Sequence, residues 1–243
     1  SLSSSHVDKT PRELSAYITD KKGYFISESS VYRILKDYDL ILSPRYTVIK
    51  ASDHYKIPTR RINEMWQTDF TYFKILGWGW YFLSTVLDDY SRYILSWKLY
   101  STMAAEDVQD TLDMAIEYTG VDHINVKHKP RLLSDNGPCY LSSQLAEYLK
   151  DKQMKHTRGR PYHPQTQGKI ERYHRTLKNK IKLHNYWSVE ALEREIALFI
   201  QYYNNERVHE SLNNITPTDM YYGKQEKILS LRDKIKQKTL KAR

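Results

Sequence analysis

From residue 65 onward, apolar and polar positions alternate with a period of two, which is typical of β-strands. Aromatic and β-branched residues dominate three successive runs, at 65–73, 80–87 and 93–99. Short connections rich in Gly and Asp separate these runs, so the pattern predicts an antiparallel three-stranded meander. Two shorter apolar runs, at 132–134 and 154–157, predict a fourth and a fifth strand.

Helical periodicity occupies the stretches between and after the later strands. Apolar residues recur three and four positions apart at 102–119, 142–151 and 188–203, and again after Gly168. In the helix after Gly168, the predicted buried stripe consists of Ile170, Tyr173, Leu177 and Ile181. This order of elements predicts an α+β fold with a mixed five-stranded sheet flanked by helices.

Two short helices are predicted before the sheet region. A capping Thr followed by Pro begins a helix at 10–20, and a Ser-rich start signal begins a second helix at about 29–38. Such a pair is compatible with a DNA-binding helix-turn-helix, in which Ser29, Ser30 and Arg33 would contact DNA. It is equally compatible with any small helical pair, and the pattern leaves both interpretations open.

Composition divides the chain into four predicted regions. Residues 1–42 form a small helical domain, and residues 43–64 form a basic linker without periodicity. Residues 65–223 form the sheet domain, and residues 224–243 form a basic tail that is either helical or disordered. The tail could bind DNA or protein.

The positive charge of the chain is concentrated in two segments. The net charge is +9, to which residues 155–182 contribute +8 and residues 224–243 contribute +6, so the rest is acidic. Such clustering favours a polyanionic partner, although solvated helix faces would look similar. The 21 tyrosines could stack on bases or lie half-buried in a sheet.

The cysteine content and hydropathy of the chain indicate a cytoplasmic protein. Cys139 is the single cysteine, so an internal disulfide is excluded, and a packing role is expected for it. No apolar run is long enough to span a bilayer, and residues 1–5 lack the features of a signal peptide. We expect a cytoplasmic location, associated with the nucleoid through DNA.

Three carboxylates are predicted to converge at one edge of the sheet. Asp69 lies inside the first strand, where a charge is unfavourable unless it is paired, exposed or bound to a cation. Asp135 follows the fourth strand, and Glu171 lies one turn into a helix. Hard oxygen donors suit Mg²⁺, and two such ions about 3.5–4 Å apart would support in-line displacement at phosphorus. One Cys and scattered His residues do not make a zinc site.

Sequence motifs around these acids resemble a known family. The motifs are Trp66-Gln67-Thr68-Asp69, Leu87-Asp88-Asp89-Tyr90-Ser91-Arg92, Ser134-Asp135-Asn136-Gly137 and Tyr162-His163-Pro164-Gln165-Thr166-Gln167-Gly168-Lys169-Ile170-Glu171-Arg172. With 35 residues between the last two acids, Asp69, Asp135 and Glu171 resemble the Asp-Asp-Glu triad of insertion-sequence transposases and retroviral-type integrases. The resemblance runs from about residue 66 to 223, and the last motif is the most specific. The segment 204–217 also resembles the closing segment of such transposases.

The resemblance implies a fold, a reaction and its partners. It implies a ribonuclease-H-like core and two Mg²⁺ ions, for which Mn²⁺ could substitute, held by the triad. The implied reaction frees a 3′-hydroxyl at the end of a mobile element and joins that hydroxyl to target DNA. The implied partners are double-stranded DNA, as element ends and target, and further copies of the chain in a homodimer or larger multimer.

DNA contacts are predicted around the third acid. Lys178, seven residues after Glu171, matches the basic position that family members use to hold terminal DNA. Arg175 and Lys182 share the helix face of Glu171. The remaining predicted contacts are Asn136, Arg158, Arg160, His163, Lys169 and Arg172. The basic loop at 158–168 is predicted to be a mobile element that orders on DNA.

Other interpretations of the acids stay open from the sequence. Asp88 and Asp89 could bind metal in place of Asp69, although acids are common in hairpin connections. Asp135 could merely shape a turn, and Glu171 could merely pair with Arg175. At the level of function, the rivals are a nuclease on the same core that only hydrolyses and a catalytically silent DNA-binding protein.

Overall fold

The computed structural model describes residues 9–38, 40, 59–122, 129–159, 167–181 and 186–242. These residues form two compact units. One unit takes the described residues up to 40 together with those from Tyr203 onward, and the other takes the described residues from 59 to Tyr202.

The second unit contains the predicted five-stranded mixed sheet, in the order β3-β2-β1-β4-β5. Its strands are β1 (Met65–Ile75), β2 (Gly79–Asp88), β3 (Ile94–Tyr100), β4 (Arg131–Ser134) and β5 (His156–Arg158). The first three form the antiparallel meander, whereas β1 with β4 and β4 with β5 pair in parallel. The predicted α+β fold is therefore confirmed, and β1 lies at the centre of the sheet.

Five helices accompany the sheet in the described part of this unit. They are α3 (Ala105–Thr119), α4 (Pro138–Leu141), α5 (Ser143–Asp151), α6 (Gly168–Ile181) and α7 (Val189–Asn205), the last of which continues past Tyr203. The predicted stripe of α6 is confirmed, since its four members are at most 3% exposed. The fully buried side chains include Trp66, Leu83, Leu112 and Leu132, so the core lies between the sheet and its helices.

The first unit begins with the predicted helix pair. Helices α1 (Pro11–Lys22) and α2 (Glu28–Asp37) pack through Leu14, Val31 and Leu35. Each helix has a side-chain cap at its start, from Thr10 and Ser27.

The C-terminal segment folds against the same pair. A 3₁₀ turn (Glu210–Leu212) and α8 (Pro217–Tyr221) lead to α9 (Gln225–Lys241). Arg232 of α9 forms a bidentate ion pair with Asp20 at the end of α1, at 2.6 and 2.7 Å. The sequence predicted a sheet domain up to residue 223 and a basic tail that is helical or disordered; in the structure the sheet unit ends at Tyr202, and the tail contains the helix α9, which packs on α1. Ion pairs between positions 212 residues apart leave no periodic signal in the sequence.

No described helix is long and apolar enough to cross a membrane.

Candidate active site

The first predicted ligand, Asp69, lies on the central strand beside α6. Its Oδ1 accepts a hydrogen bond from the backbone N–H of Phe70 at 2.8 Å. Its Oδ2 lies 3.4 Å from Nδ1 of the buried His174 on α6. Asp69 is partly exposed, so its charge retains contact with water.

The parallel pairing of β1 and β4 brings Asp135 towards Asp69. Met65, Trp66 and Gln67 pair with residues 131, 132 and 133, and the same offset places residue 135 level with residue 69 just beyond the end of β4. The N–H of Gly137 donates to Oδ1 of Asp135 at 2.8 Å. A Cβ on Gly137 would lie 3.1 Å from that oxygen, so glycine leaves the carboxylate room. Asp135 is exposed.

A buried polar network attaches the start of α6 to β1 and thereby positions Glu171. Gln67 of β1 accepts a hydrogen bond from the N–H of Ile170 at 3.1 Å and donates to Asp89 at 2.6 Å. Nζ of Lys169 binds the same Asp89 carboxylate at 2.7 Å. Because Gln67 and Asp69 lie on one strand face, fixing Ile170 brings Glu171 to the neighbourhood of Asp69.

The electrostatics of the site show that the three acids affect one another. Partial burial raises the pKa of Asp135, the charge of Asp69 raises it further, and the N–H of Gly137 lowers it. Partial burial also raises the pKa of Glu171, again with a contribution from Asp69, while Arg175 and Arg172 oppose the rise. Asp69 is thus close enough to influence both other acids. The cluster carries unfavourable negative charge that a cation would relieve.

Cys139 and Tyr140, which belong to α4, lie next to the acids. Burial raises the pKa of the Cys139 thiol to about 11, with Asp135 as the next cause, so this cysteine stays a neutral thiol. Tyr140 is buried, and burial raises the pKa of its hydroxyl well above the ordinary value, with Asp69 as the next cause. Both groups therefore add no charge beside the carboxylates.

The alternative metal ligands, Asp88 and Asp89, have a structural role instead. Asp88 is fully buried and accepts hydrogen bonds from the N–H groups of Asn63 and Ser91 and from the Ser91 hydroxyl. Asp89 is 3% exposed and accepts hydrogen bonds from Thr59, Gln67 and Lys169. Both carboxylates are buried, and each accepts three hydrogen bonds from protein donors, which favours a structural role over metal binding.

The predicted DNA contacts of α6 divide into two groups. Arg175 is exposed, and the ammonium of Lys178 lies 4.2 Å from the centre of the Tyr72 ring. Lys169 is held by Asp89, and Arg172 donates to the carbonyl of Gly168 at 2.8 Å. The ion pair of Lys169 gives it a structural role that the sequence did not indicate.

The other predicted contacts lie on several elements. Arg158 is exposed at the end of β5, and Asn136 donates to the carbonyl of Gly159 at 2.8 Å. On α2, Ser29 and Arg33 are exposed, whereas Ser30 hydrogen-bonds the hydroxyl of the capping Ser27. The predicted contacts Arg160, His163 and Lys182 and most of the predicted loop lie outside the described residues.

Sequence reasoning missed Gln67 and His174. Both are polar residues next to buried apolar stripes, and a polar residue next to such a stripe is usually exposed. His174 follows Glu171 by three residues, so it lies on the same side of α6 one turn further along. Nε2 of this 7%-exposed ring has no hydrogen-bond partner among the described residues. That spacing was the available signal for a group beside Asp69.

The donor set suits magnesium chemically. Among the described residues, no three His, Cys, Asp or Glu side chains are gathered closely enough to hold a metal ion. Mg²⁺ keeps several waters and takes one or two carboxylates together with substrate phosphate, so it does not require such a closed cage. Burial, together with the charge of Asp69, raises the pKa values of Asp135 and Glu171, and a cation bound beside them would favour their charged forms.

Family comparisons agree with this geometry. Two family models, both described as integrase core domain, match residues 59–164 and 152–217 and together cover more than half of the chain. Residues 59–217 form an integrase core domain. The matched region contains all three predicted acids.

Relatives of this integrase core domain protein come from bacteria and retroviruses. It is 28% identical over 160 residues to an Escherichia coli K12 protein described as transposase InsK for insertion sequence element IS150, covering 65% of this chain and 54% of the relative. It is 35% identical over 98 residues to the Pol polyprotein of equine infectious anemia virus, covering 40% of this chain and 8% of that protein. The chain thus spans about half of the transposase and a small part of the polyprotein.

Solved integrase structures share the fold. The catalytic core domain of HTLV-2 integrase in complex with magnesium superposes with a TM-score of 0.52 at 21% identity, covering 66% of this chain and 97% of that one. An intasome of simian T-cell lymphotropic virus matches with a TM-score of 0.57 at 18% identity, covering 87% and 74%. These similarities establish the integrase core fold.

Proposed function

We propose that this chain is the catalytic part of a DNA transposase that cleaves DNA at the 3′ ends of a mobile element and joins these ends to target DNA. The observation that carries the proposal is the match of residues 59–164 and 152–217 to integrase core domain models, and the parallel register that brings Asp135 level with Asp69 supports it. The bacterial relative, described as an insertion-sequence transposase, favours transposition over a retroviral role.

The three acids would hold the metal, and neighbouring residues would position them. Bound there, Mg²⁺ would polarise the phosphate and activate the attacking oxygen. His174 contacts Asp69 at 3.4 Å and limits its orientations, and the Gly137 N–H does the same for Asp135. Arg175 and Lys178, one and two turns after Glu171, would bind backbone phosphates and keep the reacting strand at the acids.

DNA is the proposed substrate, and assembly on two DNA ends is the proposed oligomeric form. A chain that cuts and joins needs two ends and a target at once, which favours more than one copy. The intasome and the trimeric core domain solved for retroviral relatives are assemblies of those proteins. The cytoplasmic, nucleoid-associated location belongs to the same proposal.

Joining is the decisive measurement. The protein would be incubated with Mg²⁺, a duplex carrying the candidate terminal repeat that flanks its coding sequence, and a supercoiled plasmid, and the junctions would be sequenced. Joined 3′ ends that depend on Asp135 support the proposal. Cut ends without any joining would identify a hydrolytic nuclease, and DNA binding without cleavage would identify a catalytically silent binding protein.

A further inference from the structure

Two aromatic rings are exposed side by side on the hairpin of β1 and β2. Tyr72 is 54% exposed and Trp80 is 52% exposed, and their rings meet edge to face with centroids 5.4 Å apart. The ammonium of Lys178 lies 4.2 Å from the centre of the Tyr72 ring, and that of Lys74 lies 5.7 Å from the centre of the Trp80 ring. We call these four side chains the hairpin aromatic surface.

The hairpin aromatic surface points away from the core. Along β1, Thr71, Phe73 and Ile75 are buried, whereas Tyr72 and Lys74 between them are exposed. A cross-strand aromatic pair can stabilise a hairpin, but that role does not require an ammonium group at each ring. Exposed aromatic groups gathered in one place are typical of a binding surface.

The charge around these rings indicates the kind of partner. Residues 70–87, the part of the hairpin between Asp69 and Asp88, contain no Asp or Glu, so no acidic side chain of this part opposes the two lysines. A surface that binds the phosphate backbone of a duplex requires cations but no aromatic rings. A surface that binds an apolar protein requires aromatic or other apolar side chains but no cations. Rings combined with lysines are suited to a nucleic-acid strand, because bases stack on the rings while ammonium groups contact phosphates.

The position of the hairpin aromatic surface further restricts the class of ligand that it would bind. Strand alternation places Tyr72 on the face of β1 opposite to Asp69, about 10 Å further along, but both side chains reach α6, Asp69 at His174 and Tyr72 at Lys178. Lys178 follows His174, the residue that contacts Asp69, by one helical turn. A base inside a duplex is covered on both faces by its neighbours, so a protein ring can stack only on a base that has left the stack.

We propose that the hairpin aromatic surface binds an unpaired DNA base next to the phosphate that reacts at Asp69, Asp135 and Glu171. This inference rests on the proposed function. The substrate would then be a DNA end whose last base pairs are opened. Tyr72 and Trp80 would stack on an unpaired base, and Lys74 and Lys178 would contact the flanking phosphates.

Binding to two DNA probes tests the inference without any chemistry. The probes are a blunt duplex and the same duplex with a short single-stranded 3′ extension, and affinity is measured by fluorescence anisotropy in EDTA. The wild type should prefer the extended probe by about fivefold or more, the factor expected for one base stacked on an aromatic ring. The double variant Tyr72→Thr, Trp80→Thr should lose this preference and keep its affinity for the blunt probe.

Three controls separate stacking from other effects. Threonine keeps the strand propensity of these exposed positions, so the variant should fold. Tyr72→Phe with Trp80→Phe keeps both rings and should restore the preference. Trp187→Thr removes a ring that is 75% exposed elsewhere and should leave the preference unchanged.

Two results would overturn the inference. One is a preference that persists in the threonine variant or is absent from the wild type. The other is a loss of self-association in the threonine variant, measured by analytical ultracentrifugation, with the DNA preference intact, which would make the surface a contact between copies. Failure of the proposed function is scored separately, as the absence of joined products in the plasmid assay.

Discussion

The two groups of acids in the sheet unit differ in how their oxygens are used. Asp88 and Asp89 lie at the connection between β2 and β3, are nearly inaccessible to water, and receive six hydrogen bonds from protein donors. Asp69, Asp135 and Glu171 are more exposed, and burial together with the charge of Asp69 raises the pKa values of the other two acids. The first group stabilises the fold, and the second retains capacity for a ligand.

The capacity of these acids to bind a ligand depends on carboxylate acceptor sites that protein donors leave free, and not on the number of acids. A carboxylate has about four acceptor sites. The donors at Asp89 include Lys169, 80 residues away along the chain. The two groups are nevertheless connected, because the hydrogen bonds of Asp89 and Gln67 hold the first turn of α6, which carries Glu171.

The largest expected effect is on catalysis. Asp135→Asn or Glu171→Gln should lower strand transfer by about a thousandfold or more, since a catalytic metal ion contributes several kcal/mol to transition-state stability. DNA affinity should persist or rise, because an acid near phosphates has been removed. The measurement is the yield of joined plasmid, with Glu117→Gln, an exposed acid on α3, as the control. Joining at the wild-type rate would refute the assignment of the triad.

Removing an acid of the other group should act on stability instead. Asp88→Ala leaves two N–H groups and one hydroxyl without their acceptor, so we expect unfolding free energy to fall by about 3 kcal/mol. Chemical denaturation measures this, with Asp135→Ala as the matched comparison, for which a change below about 0.5 kcal/mol is expected. Equal losses in the two variants would remove the distinction between the groups.

Substitutions of two cations of α6 should show the same distinction, one affecting stability and the other affecting DNA binding. Lys169→Met leaves the Asp89 charge buried, so we expect a loss of about 2 kcal/mol in stability with an unchanged salt dependence of DNA binding. Arg175→Ala should leave stability unchanged and lower the slope of log K against log salt by about 0.9 if it contacts one phosphate. A change of slope in the Lys169 variant would restore its predicted role as a DNA contact.

The smallest expected effect is a pH dependence of stability. The raised pKa values of Asp135 and Glu171 mean that their charged forms are disfavoured in the folded state, and this penalty is present above the folded-state pKa values. Asp135→Asn with Glu171→Gln should therefore stabilise the protein at pH 7 by a few tenths of a kcal/mol, because both groups are exposed. The gain should vanish as pH falls through the raised values towards about 4, where unfolded carboxyls protonate. Denaturation in EDTA at several pH values measures it, and a gain that grows on acidification would contradict the shifts.

Much of the fold was predictable because local periodicity reports it. The alternation at 65–73 and the stripe of Ile170, Tyr173, Leu177 and Ile181 correspond to the strand β1 and the buried face of α6. Asp69 and Asp135 were predicted at a central strand and at the end of its neighbour, and the parallel register places them there. Their assignment as metal ligands came from the expected convergence of oxygen donors and from the resemblance, and it stays a prediction.

The missed features depend on contacts that have no local signature. Lys169 looked like one more cation of a basic segment, but its partner is a buried acid on the β2–β3 connection. For His174, beside Asp69, the only local signal was its spacing of three residues from Glu171, and the contact of Gln67 with the start of α6 had no local signal. The basic C-terminal segment looked like a tail, but it packs on α1 through Arg232 and Asp20.

The sequence by itself determined the order of strands and helices, the apolar faces that build the core, and the spacing of the three acids. The elements and their apolar faces follow from the 2.0 and 3.6 residue periods, which are properties of neighbouring positions, and the spacing of the acids is read directly along the chain. Only the tertiary structure decided which acids are satisfied by protein donors and which keep acceptors for a ligand. That distinction depends on hydrogen bonds and burial supplied by residues far apart in the chain, and the same carboxylate can serve either purpose until those partners are in place.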